Sequence, residues 1–511
     1  MAQTNMKKED YIKSLGFEED PFRYFNADQE DRLDKYFVSP PYFESLWGDP
    51  KKPESHVILA PRGGGKSAQR RMIEERGWKE DVFIITYDQF FTTNLKSLED
   101  ADLSYHLRNL NKLALITYFS HLANWDYFSG GIFSADEKRF LTKMVDIYLG
   151  DVDMMTIKEV VHSSQTLPSK IKKWWNDNLP LVGVLSAVIK MKFGLDIGKP
   201  SKFEQLTINE DPLTHFRTIL ALTKRLNTES CYILIDKVDE TELTGNDPSK
   251  SYEMIKALIK DLNFINSKDF SIKFFLWDAL ENHYAQDARQ DRVQEFRLEW
   301  KYDELCNMID RRLTAYSDGR ITALNQIFEI DSIDINRIII SFSNNSPRNV
   351  IRILQDTMDE QVRLNTSKKV QLASLDLGIK KFCREQAKIH FGLEIIGQLK
   401  RISNVGFTTN YLSNDLYKSA NTARRRIQIW EEKNAIKQVC SVPNKTGRPS
   451  PYYLIVDSSL IPVVMESSAV KDLVSQMAVQ CAYCGRTYFL QIEHFDQETI
   501  PLCPNCDSHL L

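Results

Sequence analysis

Three short strings hold most of the side chains that could do chemistry. The first is APRGGGKSA, residues 60–68, where three glycines run directly into Lys66 and Ser67. Glycine backbone can curl so that successive N–H groups point at one anion, and a helix opening at Lys66 would add the favourable end of its dipole. Gly63, Gly64, Gly65, Lys66, Ser67 and Ala68 thus form a candidate P-loop for a nucleoside triphosphate, with ATP expected. Lys66 would neutralise the β- and γ-phosphates, and the Ser67 hydroxyl would complete the shell of a Mg2+ ion. The full pattern has glycine six residues before the lysine; this chain has Ala60 there. The second string is CYILIDKVDE, residues 231–240. A run of apolar strand residues ends at Asp236, the expected magnesium carboxylate, acting through water. Asp239 and Glu240 follow at the strand tip, where either could polarise an attacking water or simply be solvated. The third is a pair of CxxC knuckles, Cys481 with Cys484 and Cys503 with Cys506, separated by eighteen residues. Four thiolates at this spacing predict a tetrahedral, structural Zn2+ site, leaving His494 and His509 as bystanders.

The elements around these strings must position them. Residues 56–59 read as a buried strand, the glycines as a loop, residues 66–76 as a helix and 82–87 as a second strand. That order begins a parallel α/β sheet. The sheet returns at 232–235 and 272–276, after a helical insertion over about 90–230. The expected fold is an α/β P-loop NTPase core with a parallel sheet, helical insertion and helical lid, followed by a winged helix and a small zinc ribbon. The expected domains are an N-terminal lead-in packed on the ATPase (1–54), the core (55–299), the lid (300–388), a winged helix-turn-helix (389–460) and the ribbon (475–511).

Composition sets limits. With 511 residues, 42% hydrophobic and 27% charged, the chain can bury several cores, and a formal charge of −4 excludes a uniformly basic nucleic-acid binder. The longest apolar run, Leu179 to Ile189, is too short to span a bilayer, so no membrane role is expected. The other four cysteines are scattered, which predicts a reducing, cytoplasmic setting.

The spacing Asp236-x-x-Asp239-Glu240 resembles the Walker B motif of STAND-class signalling NTPases, the group of NACHT and NB-ARC proteins, close relatives of Orc/Cdc6-type AAA+ ATPases. That resemblance implies a nucleotide switch that assembles into a homo-oligomer on ATP. Its pattern carries glycine or an acid after the first aspartate, whereas this chain has Lys237, so slow hydrolysis is expected. Asp278, after the strand ending in Trp277, falls where a sensor 1 residue would read the γ-phosphate. Arg348, in NNSPRNVIRIL, resembles a sensor 2 arginine, and Arg289 and Arg292 are candidates for a finger acting on a neighbouring subunit. Prokaryotic members resemble defence or signalling switches; an effector would come from a partner.

Residues 391–458 read as three helices and a hairpin, which resembles a winged helix. Between Lys400 and Arg448 ten basic residues face three acids, a difference of +7. Arg424, Arg425 and Arg426 on the expected recognition helix, with Lys445 and Arg448 on the wing, are candidate contacts to double-stranded DNA. The ribbon is acidic and more suited to a protein partner. The main alternative is an Orc-like DNA-binding regulator in which hydrolysis is incidental.

Overall fold

The computed structural model describes residues 7–510 except 93–94, 125–132, 151–172, 174–188, 191–192, 196–210, 229, 288–291, 330–332, 365–366, 445–446, 493–494 and 496–498. The chain divides into two compact units. One comprises Met1–Asn26, Glu30–Val38 and Glu299–Leu511, the other Ala27–Gln29 and Ser39–Leu298. The lead-in is therefore shared between the two.

The second unit is built on a five-stranded parallel sheet. Its strands are β1 (His56–Ala60), β2 (Val82–Tyr87), β3 (Ser230–Ile235), β4 (Ser271–Trp277) and β5 (Gln294–Arg297), in the order β2-β3-β4-β1-β5. The inner strands are near-continuous apolar runs because helices cover both faces of a parallel sheet. All five residues of β1 are buried, while β5, at the edge, exposes Gln294 and Arg297. The helix Leu103–Asn124 contributes Leu107, Leu110, Leu113, Ala114, Tyr118 and Phe119 to the main core, which accounts for its apolar residues on several faces. Helices Ala135–Leu149 and Pro212–Thr223 also belong to the expected insertion. The apolar run 179–189 lies outside the described residues except for Ile189, which is buried.

Strand register places the chemistry at one edge. Ala60 pairs with Trp277, Ile235 with Phe274 and Tyr87 with Ile235, so the P-loop, Asp278, Asp236 and Asp88 all leave the carboxyl ends of their strands. That edge is where ligands bind in open α/β sheets. β4 lies between β1 and β3, so the strand that ends at Asp236 stands one strand away from the P-loop strand.

At the other end, Lys273 is buried in mid-sheet, with Nζ 3.3 Å from His56 Nδ1. Burial lowers the Lys273 amine to about 7 and, with Lys273 alongside, lowers the His56 imidazole to about 3. For Lys273 the folded value lies below the unfolded one, so the destabilisation is full below pH 7 and is relieved as pH rises towards 10.5. Lys273→Met should therefore raise the melting temperature at pH 7, and the gain should shrink by pH 10. A gain independent of pH would refute this account.

The first unit is mainly helical. Helix Pro347–Leu364 packs on helix Leu372–Lys400 through Gly378, where a Cβ would come within 2.7 Å of the Thr357 backbone. Gly392, at φ 71°, breaks the second of these helices. Beyond it, strands β6 (Gly406–Thr408), β7 (Ile436–Asn444) and β8 (Gly447–Ile455) form an antiparallel sheet in the order β6-β8-β7. The helix Ala420–Glu432 precedes the β7–β8 hairpin, which is a winged-helix arrangement. Between β6 and that helix, where the second of the three expected helices would fall, stands a short π-helical turn, Tyr411–Leu416. Strands β9 (Ala478–Gln480) and β10 (Thr487–Phe489) then flank the first cysteine knuckle, Cys481 and Cys484, and the second, Cys503 and Cys506, lies in a turn beyond β10. Among the described residues no helix is long and apolar enough to cross a membrane.

Candidate nucleotide site and metal centre

The P-loop leaves β1 at Ala60 and enters the helix Lys66–Lys79. Gly63 and Gly65 adopt positive φ, 74° and 102°, a region that favours glycine. A Cβ on Gly64 would lie 2.9 Å from the Pro61 carbonyl oxygen, so this turn is too tight for a side chain. No side chain caps the helix, whose first N–H groups lie at the site. Lys66 Nζ donates to the carbonyls of Ala60 and Pro61 at 3.0 and 3.2 Å. Ala68 follows in the first turn.

Ser67 Oγ donates to Asp236 Oδ2 at 2.8 Å. These two oxygen donors, from the first turn of the helix Lys66–Lys79 and the end of β3, fit a hard divalent cation such as Mg2+. Asp236 is buried and also accepts from Arg70 Nε at 3.0 Å and from the Lys237 N–H at 2.9 Å. Asp239 is buried in the turn after β3 and accepts from Arg62 at 2.6 Å, whereas Glu240 is exposed. Asp278 starts a short turn after β4.

Sequence reasoning missed the ionic network beside this site. Arg70 is fully buried between Glu74, Asp28 and Asp236. Lys237 bridges Asp28 at 2.7 Å and Asp88 at 3.2 Å. Burial opposes the charge on Arg70, but Glu74, Asp88, Asp28 and Asp236 hold its pKa well above the ordinary value. The same balance raises Lys237, through Asp88 and Asp28, and lowers Asp28, through Arg70 and Lys237. For Glu74 burial prevails and the carboxyl is raised. Lys237 has φ 58°, a left-handed conformation that favours glycine and costs a side chain about 1–2 kcal/mol. Its two carboxylate partners offset that cost. A signal for Arg70 was available: Lys66, Arg70 and Glu74 recur at intervals of four on a helix that must pack against the sheet. Asp28 and Asp88 carried none, because only the fold brings them there.

Arg292 precedes β5, at the opposite end of the sheet from the P-loop, and lines an open groove of about 820 Å³ with Lys51, Lys52 and Lys268. It is thus misplaced to act on its own P-loop, and Arg289 lies outside the described residues. Arg348 is half-buried in the first turn of helix Pro347–Leu364.

The four knuckle sulfurs lie within 4.8 Å of one another. Cys481 Sγ is 3.7 Å from Cys506 Sγ, and Cys484 Sγ is 3.6 Å from Cys503 Sγ. A tetrahedron with metal–sulfur distances of about 2.3 Å has edges of about 3.8 Å, so the donor set fits Zn2+. The Ser508 hydroxyl approaches Cys506 and Cys481 at 3.1 and 3.3 Å. Burial would raise the Cys481 thiol, but backbone N–H groups of Cys484 and Tyr483 and the Ser508 hydroxyl lower it to about 6.

On the helix Ala420–Glu432, Ala423, Ile427 and Trp430 face inward, leaving Arg424 and Arg425 exposed. Arg426 instead pairs with Glu394 at 3.1 Å. Arg448 is exposed on β8, and Lys445 lies outside the described residues. Lys400 and Lys437 are engaged by Glu466 and Asp507, so part of the basic excess is used within the unit.

No protein-family model and no curated protein matches the chain. Among solved structures it is similar to the Orc1 protein of Aeropyrum pernix in complex with DNA, at 11% identity and a TM-score of 0.35, over 87% of this chain and 97% of that one. A likeness this loose assigns no ligand.

Proposed function

We propose that this chain is a slow, ATP- and Mg2+-dependent switch ATPase of STAND/AAA+ type, whose nucleotide state governs a winged helix and a zinc ribbon. The observation that carries the reading is the Ser67–Asp236 pair at the mouth of a glycine P-loop, with Lys237 held by Asp28 and Asp88 in the position after Asp236. Lys66 and Ser67 bind and orient the triphosphate, and Asp236 holds the metal shell. Bound Mg2+ would supply charge neutralisation across the β- and γ-phosphates. Asp239 is better placed than exposed Glu240 to orient water, while the lysine at 237 offers no carboxylate for that role. Arg348 acts as a sensor, Arg292 serves a neighbouring copy, and assembly is ATP-driven.

Lys66→Ala should lower ATP affinity at least tenfold in calorimetry, since a charged contact to phosphate contributes about 1.5–3 kcal/mol. The unmodified chain should turn over at about 0.01 per second or less, in the range of switch NTPases. Retained affinity in the variant would exclude the site, and turnover at tens per second would exclude a switch. The Orc-like reading, with DNA clamping primary, is favoured by exposed Arg424, Arg425 and Arg448. It requires duplex binding at near-physiological salt that Arg424→Glu with Arg425→Glu abolishes while ATP binding survives.

A further inference from the structure

Arg62 stands in the P-loop immediately before Gly63, and none of the motifs gives it a role. Its guanidinium donates to Asp239 Oδ2 at 2.6 Å and lies over the Trp277 ring, 4.1 Å from the centroid. The three residues come from three neighbouring strand ends: the loop after β1, the last position of β4 and the turn after β3. The Arg62 side chain is 38% exposed and that of Asp239 only 11%, so the pair has a solvent-facing cationic side and a buried anionic one. The indole holds the guanidinium in place without using its in-plane donors. Those donors match phosphate oxygens as well as carboxylate oxygens.

We infer that Arg62 is a specificity-determining residue for the terminal phosphate, exchanging Asp239 for the γ-phosphate when a triphosphate occupies the loop. The inference rests on the reading of Gly63–Ser67 as a triphosphate site. A triphosphate gains a cation in the exchange and releases the Asp239 carboxylate to accept a hydrogen bond from water. A diphosphate leaves the Arg62–Asp239 pair in place. Asp239 is thereby a competitor of the γ-phosphate for one arginine, which sets a sign that ordinary metal or water-positioning roles do not share. Removing its charge tightens triphosphate binding.

The test uses the full chain with Mg2+ and measures Kd for ADP and for ATPγS, which is hydrolysed slowly. Arg62→Ala should weaken ATPγS roughly tenfold or more and ADP by less than about twofold. Asp239→Asn should tighten ATPγS and leave ADP unchanged. ATPγS, but not ADP, should change the tryptophan emission, and Trp277→Phe or Arg62→Ala should remove that change. Equal weakening of both nucleotides by Arg62→Ala would overturn the inference, as would weaker ATPγS binding in Asp239→Asn. Failure of the unmodified chain to bind either nucleotide would instead overturn the triphosphate reading on which it stands.

Discussion

Arg70→Ala is expected to be among the most destabilising single changes in the sheet-bearing unit, although Arg70 belongs to none of the recognised motifs. The side chain is wholly buried and serves Asp28, Glu74 and Asp236 together. Deleting one partner of a buried ion pair leaves an uncompensated charge and costs about 3–5 kcal/mol. Glu74, whose carboxyl burial already raises, would take up a proton and recover part of that cost. For a unit of this size the loss corresponds to a fall in melting temperature of about 6–20 °C. Arg70→Lys should recover only part of it, because an ammonium cannot reproduce three differently directed N–H groups. Thermal unfolding followed by calorimetry provides the check. A shift below about 2 °C for Arg70→Ala would mean that the network contributes no more than an exposed pair does.

This prediction also marks where the sequence stopped being legible. The places of Lys66, Ser67 and Asp236 could be read because a strand, a glycine turn and a second strand set them locally. The Ser67–Asp236 bond at 2.8 Å brings two of them together. The order of the strands was less accessible: nothing in residues 271–277 says that they run between β1 and β3 rather than at an edge. Asp28 lies in a segment that resembled a passive lead-in, yet it binds both Arg70 and Lys237. Contacts of this kind depend on long-range topology, which periodicity and motif spacing do not encode. The recognition helix shows the same limit on a smaller scale. Three consecutive arginines must point in different directions around a helix, and only the packing of Ala423, Ile427 and Trp430 shows that Arg426 turns towards Glu394. In the sequence the ribbon reads as a unit of its own, residues 475–511. Its inner face instead shares a core with the wing, where Val439, Tyr452 and Leu454 pack with Cys481, Tyr488, Leu490 and Leu510.

Because of that shared core, loss of zinc should disturb more than the knuckles. Structural zinc contributes about 10–16 kcal/mol to the folding of small metal-dependent domains, far more than the apolar area of a ribbon this small could supply. Chelation or Cys503→Ser should therefore unfold residues 478–510 and uncover the inner faces of β7 and β8. The hydrogen bond from Leu502 N to Val439 O and the Lys437–Asp507 pair would go with them. Limited proteolysis should then cut within both the ribbon and the hairpin, and any duplex affinity that depends on Arg448 should fall. Cys440→Ser is the control, since Cys440 packs against this core but is not one of the four clustered sulfurs. It should retain one zinc per chain by atomic absorption and resist the protease. Ser508→Ala should keep the fold while lowering zinc affinity about tenfold, as loss of a hydrogen bond to a ligand does. If the purified chain carries no zinc, and Cys503→Ser leaves the cleavage pattern of residues 436–510 unchanged, the wing is held by its apolar core alone and the cysteines are not its staple.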